Sequence, residues 1–273
     1  MYLTKHKTAV GSRWALDGRL LPDDFELQRL LDLPNATVPS FLGGIVRTAV
    51  TASGPLLAPV DSFSEVWAAG VTYLRSREAR EAESTVSDLY SRVYDAERPE
   101  LFFKAVGWRV SGHAMPIRIR RDSRWNVPEP ELTLVINARG EIVGFCAGND
   151  VSSRDIEGAN PLYLPQAKIY DGACALGPGI ALCEADTLND LSIELVVTRG
   201  GHAIFASETR TSRIKRPLRE LVDYLRKELD FPHGVFLMTG TGIVPPDDFS
   251  LACGDQVRIT IGTLTLENEV ARP

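Results

Sequence analysis

Strand-like segments outnumber helical ones in this 273-residue chain, and this imbalance limits the possible folds more than any other feature. Most segments after residue 100 alternate apolar and polar residues with a period of two, which is typical of strands with one buried face. The clearest pair flanks a short polar turn and reads ELTLVIN-ARG-EIVGFCAGNDVS. Gly140 in that turn supplies a permissive backbone for a hairpin. The sequence therefore predicts a β-rich α+β fold rather than a doubly wound parallel sheet.

Three segments have apolar residues at helical spacing, and the first 65 residues differ in pattern from the rest. The predicted helices read DDFELQRLLDL, SREAREAESTVSDLYSRVYD and PLRELVDYLRKELDF. The N-terminal part has only short strand-like pieces such as IVRTAV and SGPLLAPV, and Pro55 and Pro59 suit a linker. We predict a small N-terminal domain over residues 1–65 and a catalytic domain over residues 66–273.

Composition excludes several classes of partner. The net charge is -6 and the pI is near 5.4, whereas a nucleic-acid-binding protein needs a concentrated basic face. No apolar run approaches the ~20 residues that a membrane-spanning helix requires, and the N-terminus does not resemble a secretory signal. The four cysteines are scattered and form no C-x-x-C pair. We expect reduced thiols and a cytoplasmic protein with no nucleic-acid or membrane partner.

Three carboxylates near the hairpin form the most informative group. Glu129 and Glu131 are two residues apart at the start of a strand, so their side chains project from the same face. Asp150 ends the next strand, and the hairpin folds it back towards the pair. Like charges this close repel unless a positive charge lies between them. Carboxylates without softer ligands suit a hard cation, with Mg²⁺ expected and Mn²⁺ or Ca²⁺ as alternatives.

The two glutamates of an isolated E-x-E pair are usually exposed residues of a strand. The context favours a site here, because flanking prolines stiffen the approach, a third acid lies on the paired strand, and Lys168 follows in a tightly turned apolar stretch.

Several motifs then resemble the fumarylacetoacetate hydrolase family. They are the run from Gly70 to Pro178, the segment MTGTGIV and the closing GDQVRITIGTLTLENEV. The resemblance implies a mixed β-sandwich roll with a small N-terminal domain, and commonly a homo-oligomer. It also implies divalent-metal ligands at Glu129, Glu131 and Asp150, an active-site lysine at Lys168 and a substrate contact at Thr241.

One position departs from the hydrolases of that family. Their G-x-N-Y-x-x-H-x-x-E pattern carries a histidine that activates water, and this chain has Ser76 at the histidine position and Ala79 at the acid position. Serine cannot replace imidazole as a general base near neutral pH. The form G-V-T-Y-x-R-S-R instead resembles the branch that dehydrates 2-keto-3-deoxy sugar acids, converting 2-keto-3-deoxy-D-arabinonate to 2,5-dioxopentanoate.

That resemblance implies catalytic roles for Glu100 and Lys168 and a small 2-keto acid as substrate. Glu100 precedes Leu101 and two phenylalanines, so desolvation could raise its pKa into a range useful for proton transfer. Lys168 beside carboxylates should stay protonated, which favours electrostatic stabilisation over a Schiff base. The predicted substrate-binding residues are Tyr73, Arg75, Ser76, Lys104, Gln166 and Thr241.

Two alternatives stay open from the residues alone. The first is a hydrolase that cleaves a C–C bond of an acylpyruvate or a 2,4-diketo sugar acid, with another group ordering the water. The second is a non-catalytic sugar-acid binding protein, which would not need three acids together with Lys168.

Overall fold

The computed structural model describes residues 1–45, 50–83 and 87–271. The strands are β1 (Tyr2–Thr8), β2 (Gly11–Leu16), β3 (Arg19–Leu20), β4 (Leu56–Leu57), β5 (Glu65–Gly70), β6 (Glu100–Val106), β7 (Ile117–Arg118), β8 (Asn126–Val127), β9 (Pro130–Ile136), β10 (Ile142–Asp150), β11 (Ser152–Ser153), β12 (Cys174–Leu182), β13 (Ser192–Arg199), β14 (His202–Arg210), β15 (Val235–Met238), β16 (Gln256–Ile261) and β17 (Leu264–Ala271). The α-helices are α1 (Leu27–Leu31), α2 (Val38–Gly44), α3 (Leu74–Glu83), α4 (Ser87–Asp95), α5 (Arg154–Ala159), α6 (Leu164–Lys168) and α7 (Leu218–Leu225). The prediction of a β-rich α+β fold is confirmed.

Two sheets pack against each other and enclose the main core. Within the described ranges, a ten-stranded sheet has the order β3-β2-β1-β12-β10-β9-β15-β5-β6, with β4 paired to β1. A five-stranded sheet has the order β14-β13-β16-β17-β7, and β11 pairs separately with β8. Aliphatic side chains from β9 and β10 pack against those of β13, β16 and β17 to form the larger apolar cluster. Within the larger sheet, the antiparallel pairing of β9 with β10 places the carboxyl end of β10 beside the start of β9.

The central hairpin of β9 and β10 is buried along its whole length. Its turn follows the sequence prediction, since Gly140 has a φ of 81°. Asn137 closes the turn by accepting hydrogen bonds from the backbone N–H groups of Arg139 (3.0 Å) and Glu141 (2.8 Å). Because both faces of the hairpin are covered, polar side chains at its open end must find partners inside the protein.

The N-terminal segment shares its sheet and part of its core with the rest of the chain. Strand β1 pairs antiparallel with β12, and a second apolar cluster joins Leu3 and Leu30 to Phe236. The division of the chain at residue 65 stays a prediction. Of the predicted strand IVRTAV at residues 45–50, residues 46–49 lie outside the described residues.

The predicted helices are present but shorter. The 76–95 prediction corresponds to α3 and α4, with residues 84–86 outside the described part. Helix α7 ends at Leu225, because its buried apolar residues at helical spacing stop there and the following residues through Asp230 are mostly exposed. No described helix is long and apolar enough to cross a membrane.

Candidate functional site

Three buried carboxylates meet at the open end of the central hairpin. Glu129 directly precedes β9, Glu131 lies on β9 and Asp150 ends β10, and one carboxylate oxygen from each lies within 4.8 Å of the others. The strand register produces this meeting, since the Asp150 N–H donates to the Glu129 carbonyl oxygen at 2.9 Å. The acids are at most 3% exposed. The three acids identified in the sequence therefore form one cluster.

A glycine turn after β15 holds Glu131 in place. The backbone N–H of Gly240 donates to Glu131 Oε2 at 2.7 Å. Gly240 has a φ of 88°, and a Cβ there would come within 2.1 Å of Thr72 Oγ1. Thr72 itself donates to the Thr239 carbonyl oxygen at 2.6 Å. This close approach requires glycine at position 240 and so fixes a backbone donor against Glu131.

Lys168, at the end of α6, lies between two of the acids. Its Nζ is 2.8 Å from Glu129 Oε2 and 3.0 Å from Asp150 Oδ2, and it also donates to Ser152 Oγ at 2.6 Å. Burial alone would lower the pKa of Lys168, but the charges of Asp150 and Glu129 raise it above its ordinary value. Lys168 is therefore an ammonium ion at neutral pH, as the sequence reasoning expected, and a poor nucleophile in that form.

Two buried arginines contact the other oxygen of Glu129. The guanidinium nitrogens of Arg80 and Arg154 lie 2.8 Å and 2.9 Å from Glu129 Oε1. Arg80 also forms an ion pair of 3.0 Å with Glu157, which lies one turn after Arg154 on α5. The sequence reasoning did not identify Arg80, Arg154 or Glu157. A sequence signal was available for Arg80, because it follows Ser76 by one helical turn and so lies on the same helix face.

The electrostatics of the cluster suit a divalent cation. Burial raises the pKa of Glu131 well above its usual range, and the charges of Asp150 and Glu129 raise it further. Burial would also raise the pKa of Asp150, but Lys104 and Lys168 lower it. A cation would relieve the repulsion that acts on Glu131. The donor set is carboxylate oxygen only, which hard ions such as Mg²⁺ prefer, so the residues fit a metal site.

A mostly polar cavity opens onto the cluster, and Glu100 forms part of its wall. The lining residues are Ala69, Gly70, Val71, Ser76, Arg80, Glu100, Phe102, Glu129, Glu131, Asp150, Glu157, Leu164, Lys168, Gly240 and Thr241. Desolvation raises the pKa of Glu100 to about 7, the charges of Glu157 and Glu129 also raise it, and Arg80 and Lys168 lower it. Glu100 is thus able to exchange a proton near neutral pH.

The pairing of β5 with β6 sets the position of Glu100. Gly70 lies opposite Glu100 in the register, and a Cβ at Gly70 would lie 2.0 Å from Glu100 Oε2. Glu100 and Phe102 share one face of β6, as residues two apart on a strand do. The absence of a side chain at position 70 therefore leaves room for the Glu100 carboxylate in the cavity wall.

With this geometry established, comparison with known proteins identifies the family. The family described as "Fumarylacetoacetate (FAA) hydrolase C-terminal" matches residues 65–271, which is more than half of the chain. The chain belongs to the fumarylacetoacetate hydrolase family. The sequence resemblance and the fold it implied are thereby confirmed.

Two curated relatives of this fumarylacetoacetate hydrolase family chain are named as dehydratases. A probable 2-keto-3-deoxyxylonate dehydratase of Haloferax volcanii is 49% identical over 214 residues, which cover 78% of this chain and 73% of that protein. A 2-dehydro-3-deoxy-D-arabinonate dehydratase of Saccharolobus solfataricus is 43% identical over 211 residues, covering 76% of this chain and 70% of that protein.

A solved structure is similar over the full chain. It is 2-keto-3-deoxy-D-arabinonate dehydratase complexed with magnesium and 2,5-dioxopentanoate, and it has a TM-score of 0.87 at 33% sequence identity. The match covers 100% of this chain and 99% of that chain. The β-sandwich roll of the fumarylacetoacetate hydrolase type is therefore the fold of this protein.

The residues predicted to contact substrate separate into two groups. Ser76 and Thr241 line the cavity, as do the predicted catalytic residues Glu100 and Lys168. The other four do not line it. They are Tyr73, Arg75, Lys104 and Gln166.

Each of these four positions has a structural reason for lying outside the cavity wall. Tyr73 is buried at the junction of β5 and α3, whereas Arg75 is exposed and lies 4.0 Å from Glu78. Gln166 is exposed on α6, whose buried residues are Ala167 and Lys168. Lys104 lies behind Asp150, where its Nζ is 2.5 Å from Asp150 Oδ1.

Proposed function

We propose that this chain is a metal-dependent hydro-lyase that removes water from a 2-keto-3-deoxy sugar acid, as in the conversion of 2-keto-3-deoxy-D-arabinonate to 2,5-dioxopentanoate. One observation supports this most directly. The three-acid cluster shares a cavity with Lys168 and with a Glu100 whose pKa is near 7, and no histidine occurs among the described residues that line that cavity. The names of the dehydratase relatives agree with this assignment.

We propose Glu129, Glu131 and Asp150 as the ligands of the cation, with Mg²⁺ preferred. The magnesium in the similar solved structure supports this choice. When bound, a divalent cation acts as a Lewis acid that polarises the C2 carbonyl of a chelating 2-keto acid.

The protein groups carry out the proton transfers. Glu100, as a carboxylate, accepts a proton from C3, and the ammonium group of Lys168 stabilises the negative charge that develops on the C2 oxygen. The C4–O bond then breaks, and Glu100 returns its proton to the departing hydroxyl, so that water is released. The resulting enone reaches the 2,5-dioxo acid by transfer of a proton from C5 to C3 and tautomerisation of the C4–C5 enol.

The remaining cavity residues bind and shield the substrate in this proposal. Phe102 limits the access of water to Glu100 and Lys168, since its ring lies 5.9 Å from Lys168 Nζ. Ser76 offers a hydroxyl where the hydrolases of the family carry a histidine, so it can hydrogen-bond to a sugar hydroxyl but cannot activate water. Thr241 also lines the cavity, one residue after the Gly240 N–H that binds Glu131.

A substrate comparison tests the proposed function. The protein is incubated with Mg²⁺ and either 2-keto-3-deoxy-D-arabinonate or an acylpyruvate, and the products are identified by mass spectrometry. We expect 2,5-dioxopentanoate from the first and no pyruvate from the second. Glu129→Gln should abolish turnover, whereas Glu194→Gln, at an exposed position on β13, should not alter it. Pyruvate release from the acylpyruvate alone would refute the dehydratase assignment in favour of a hydrolase.

We further propose that the protein is a cytoplasmic homo-oligomer. All four cysteines are free thiols, which agrees with a reducing compartment. Exposed apolar side chains such as Trp108 and Met115 lie close together in sequence beside a surface groove and provide apolar area for contact between subunits. Light scattering after gel filtration measures the mass of the particle, and a mass of about 30 kDa would contradict this proposal.

A further inference from the structure

Lys104 is a buried cation close to the carboxylate cluster but outside the cavity wall. Its side chain has no exposed surface, and its Nζ lies 2.5 Å from Asp150 Oδ1. The opposite oxygen, Asp150 Oδ2, faces Lys168 at 3.0 Å. The two oxygens of Asp150 are thus held by different lysines, one inside the cavity and one behind it.

Lys104 also joins segments that carry other parts of the site. Its Nζ donates to the carbonyl oxygens of Lys168 and, at 3.3 Å, Val151. The Lys168 carbonyl is at the end of α6, where helix carbonyls lack partners within the helix. Lys104 itself lies on β6, at the point where the register between β6 and β5 shifts by one residue. One ammonium group therefore links β6, the end of β10 and the end of α6.

We propose that Lys104 is a positioning residue for the metal site. By occupying Asp150 Oδ1 it leaves Oδ2 as the oxygen that faces the cluster, so Asp150 would offer a single oxygen to the cation. By holding the end of α6 it also sets the position of Lys168. This role deepens the proposed function, because it assumes the metal site proposed above.

A substrate contact does not account for the environment of Lys104. A residue that binds substrate must present its polar atom to the cavity, and the Lys104 ammonium is directed instead to Asp150 and two backbone carbonyls. A role as a simple counter-ion makes the opposite prediction from positioning. Removing a positive charge beside a ligand carboxylate should strengthen cation binding if charge alone matters, whereas loss of orientation should weaken it.

Isothermal titration calorimetry with MgCl₂ measures the Kd for Mg²⁺ in the wild-type protein and in the variants Lys104→Met and Lys104→Gln. It thereby distinguishes loss of charge from loss of orientation. The matched control is Lys5→Met, because Lys5 also contacts an aspartate, Asp61 Oδ1 at 2.9 Å, and a backbone carbonyl, that of Val60 at 2.7 Å. It does so on β1, outside the cavity wall. Circular dichroism establishes that each variant is folded before titration.

We expect the Kd for Mg²⁺ to rise roughly 10- to 100-fold in Lys104→Met, as for other groups that orient metal ligands. Lys104→Gln keeps a hydrogen-bond donor and should show a smaller rise, and Lys5→Met should bind Mg²⁺ like wild type. An unchanged or lower Kd in Lys104→Met would overturn the positioning role. If both Lys104 variants fail to fold, Lys104 is a folding residue and the proposal is also wrong. Absence of Mg²⁺ binding by wild type would instead refute the proposed metal site itself.

Discussion

The pKa values of carboxyl groups at the two ends of the β9–β10 hairpin are shifted in opposite directions. At the turn, Glu141 Oε2 accepts hydrogen bonds from Asn137 Nδ2 and from the Asn35 backbone N–H, both at 2.7 Å. These neutral donors lower the pKa of Glu141. At the open end, burial and two neighbouring acids raise the pKa of Glu131.

This contrast separates a carboxylate that supports folding from one that is kept for a ligand. Glu141 is satisfied by donors that are part of the fold, so its charge stabilises the turn. The backbone donor of Gly240 and the charge of Lys168 lower the pKa of Glu131, but burial and the charges of Asp150 and Glu129 outweigh them. Its ionised form therefore destabilises the protein unless a cation is bound.

The largest effect is expected from Glu131→Gln. Turnover in the presence of Mg²⁺ should be lost, because the cluster loses one of its three acids. Wild type should gain about 2.7 kcal/mol of unfolding free energy when Mg²⁺ is present at 100 times its Kd, and the variant should not. Without Mg²⁺ the variant should be at least as stable as wild type. Urea denaturation with and without Mg²⁺ measures both, and a variant with the wild-type response to Mg²⁺ would contradict the assignment.

Lys168→Met should lower kcat/KM roughly 10²- to 10³-fold, the usual cost of losing a group that stabilises a developing oxyanion. It should also lower stability in metal-free protein, because Glu129 and Asp150 lose their shared cation. Lys215→Met, which removes an exposed lysine paired with Asp95, is the control and should retain full activity. Steady-state kinetics measures kcat/KM of both variants. A fall of less than tenfold in Lys168→Met would argue against the proposed role of Lys168.

The pKa of Glu100, near 7, predicts a pH dependence of the reaction. Because the carboxylate form accepts the C3 proton, kcat/KM should rise roughly tenfold per pH unit well below 7 and level off above it. Glu100→Gln should have low activity without this inflection. A pH–rate profile of both proteins measures this, and the same inflection in the variant would assign it to another group.

The smallest effect is expected at the turn, from Glu141→Gln. The unfolding free energy should fall by about 1 kcal/mol at neutral pH, since the variant loses hydrogen bonds to a charged acceptor. The pKa of Glu141 is lower in the folded than in the unfolded chain, so this stabilisation is present at neutral pH and is lost in acid. The difference in unfolding free energy from wild type should therefore shrink as the pH falls, while kcat/KM of the variant should equal that of wild type at each pH. Urea denaturation at several pH values measures the change in stability. A loss of activity in Glu141→Gln would contradict the assignment of Glu141 to folding alone.

The central hairpin and its acids could be predicted because their signals are local. Alternation of apolar residues defines the strands, and Gly140 marks the turn. Antiparallel pairing then necessarily brings Asp150 to the E-x-E pair. Lys168 was found by resemblance rather than from spacing.

The buried arginines could not be predicted in the same way. Arg80 lies in a helix rich in charges, where an arginine is normally solvated, yet it is buried and forms ion pairs with Glu129 and Glu157. For Lys104, the residue pattern of β6 shows neither the register shift at that position nor how deeply the side chain is buried. Tertiary packing determines how deeply both side chains are buried, and local sequence patterns do not reveal that packing.

The pairing of β1 with β12 has a consequence for folding during synthesis. Tyr2 lies opposite Ala181, and the Leu182 N–H donates to the Met1 carbonyl oxygen at 3.0 Å. Strand β1 is therefore synthesised roughly 9 to 36 seconds before its partner β12, at about 5–20 residues per second. Throughout that interval β2 and β4 are the partners of β1 among the described strands, so the nascent chain exposes the backbone of Tyr2 and Leu3 as an unpaired stretch of strand edge.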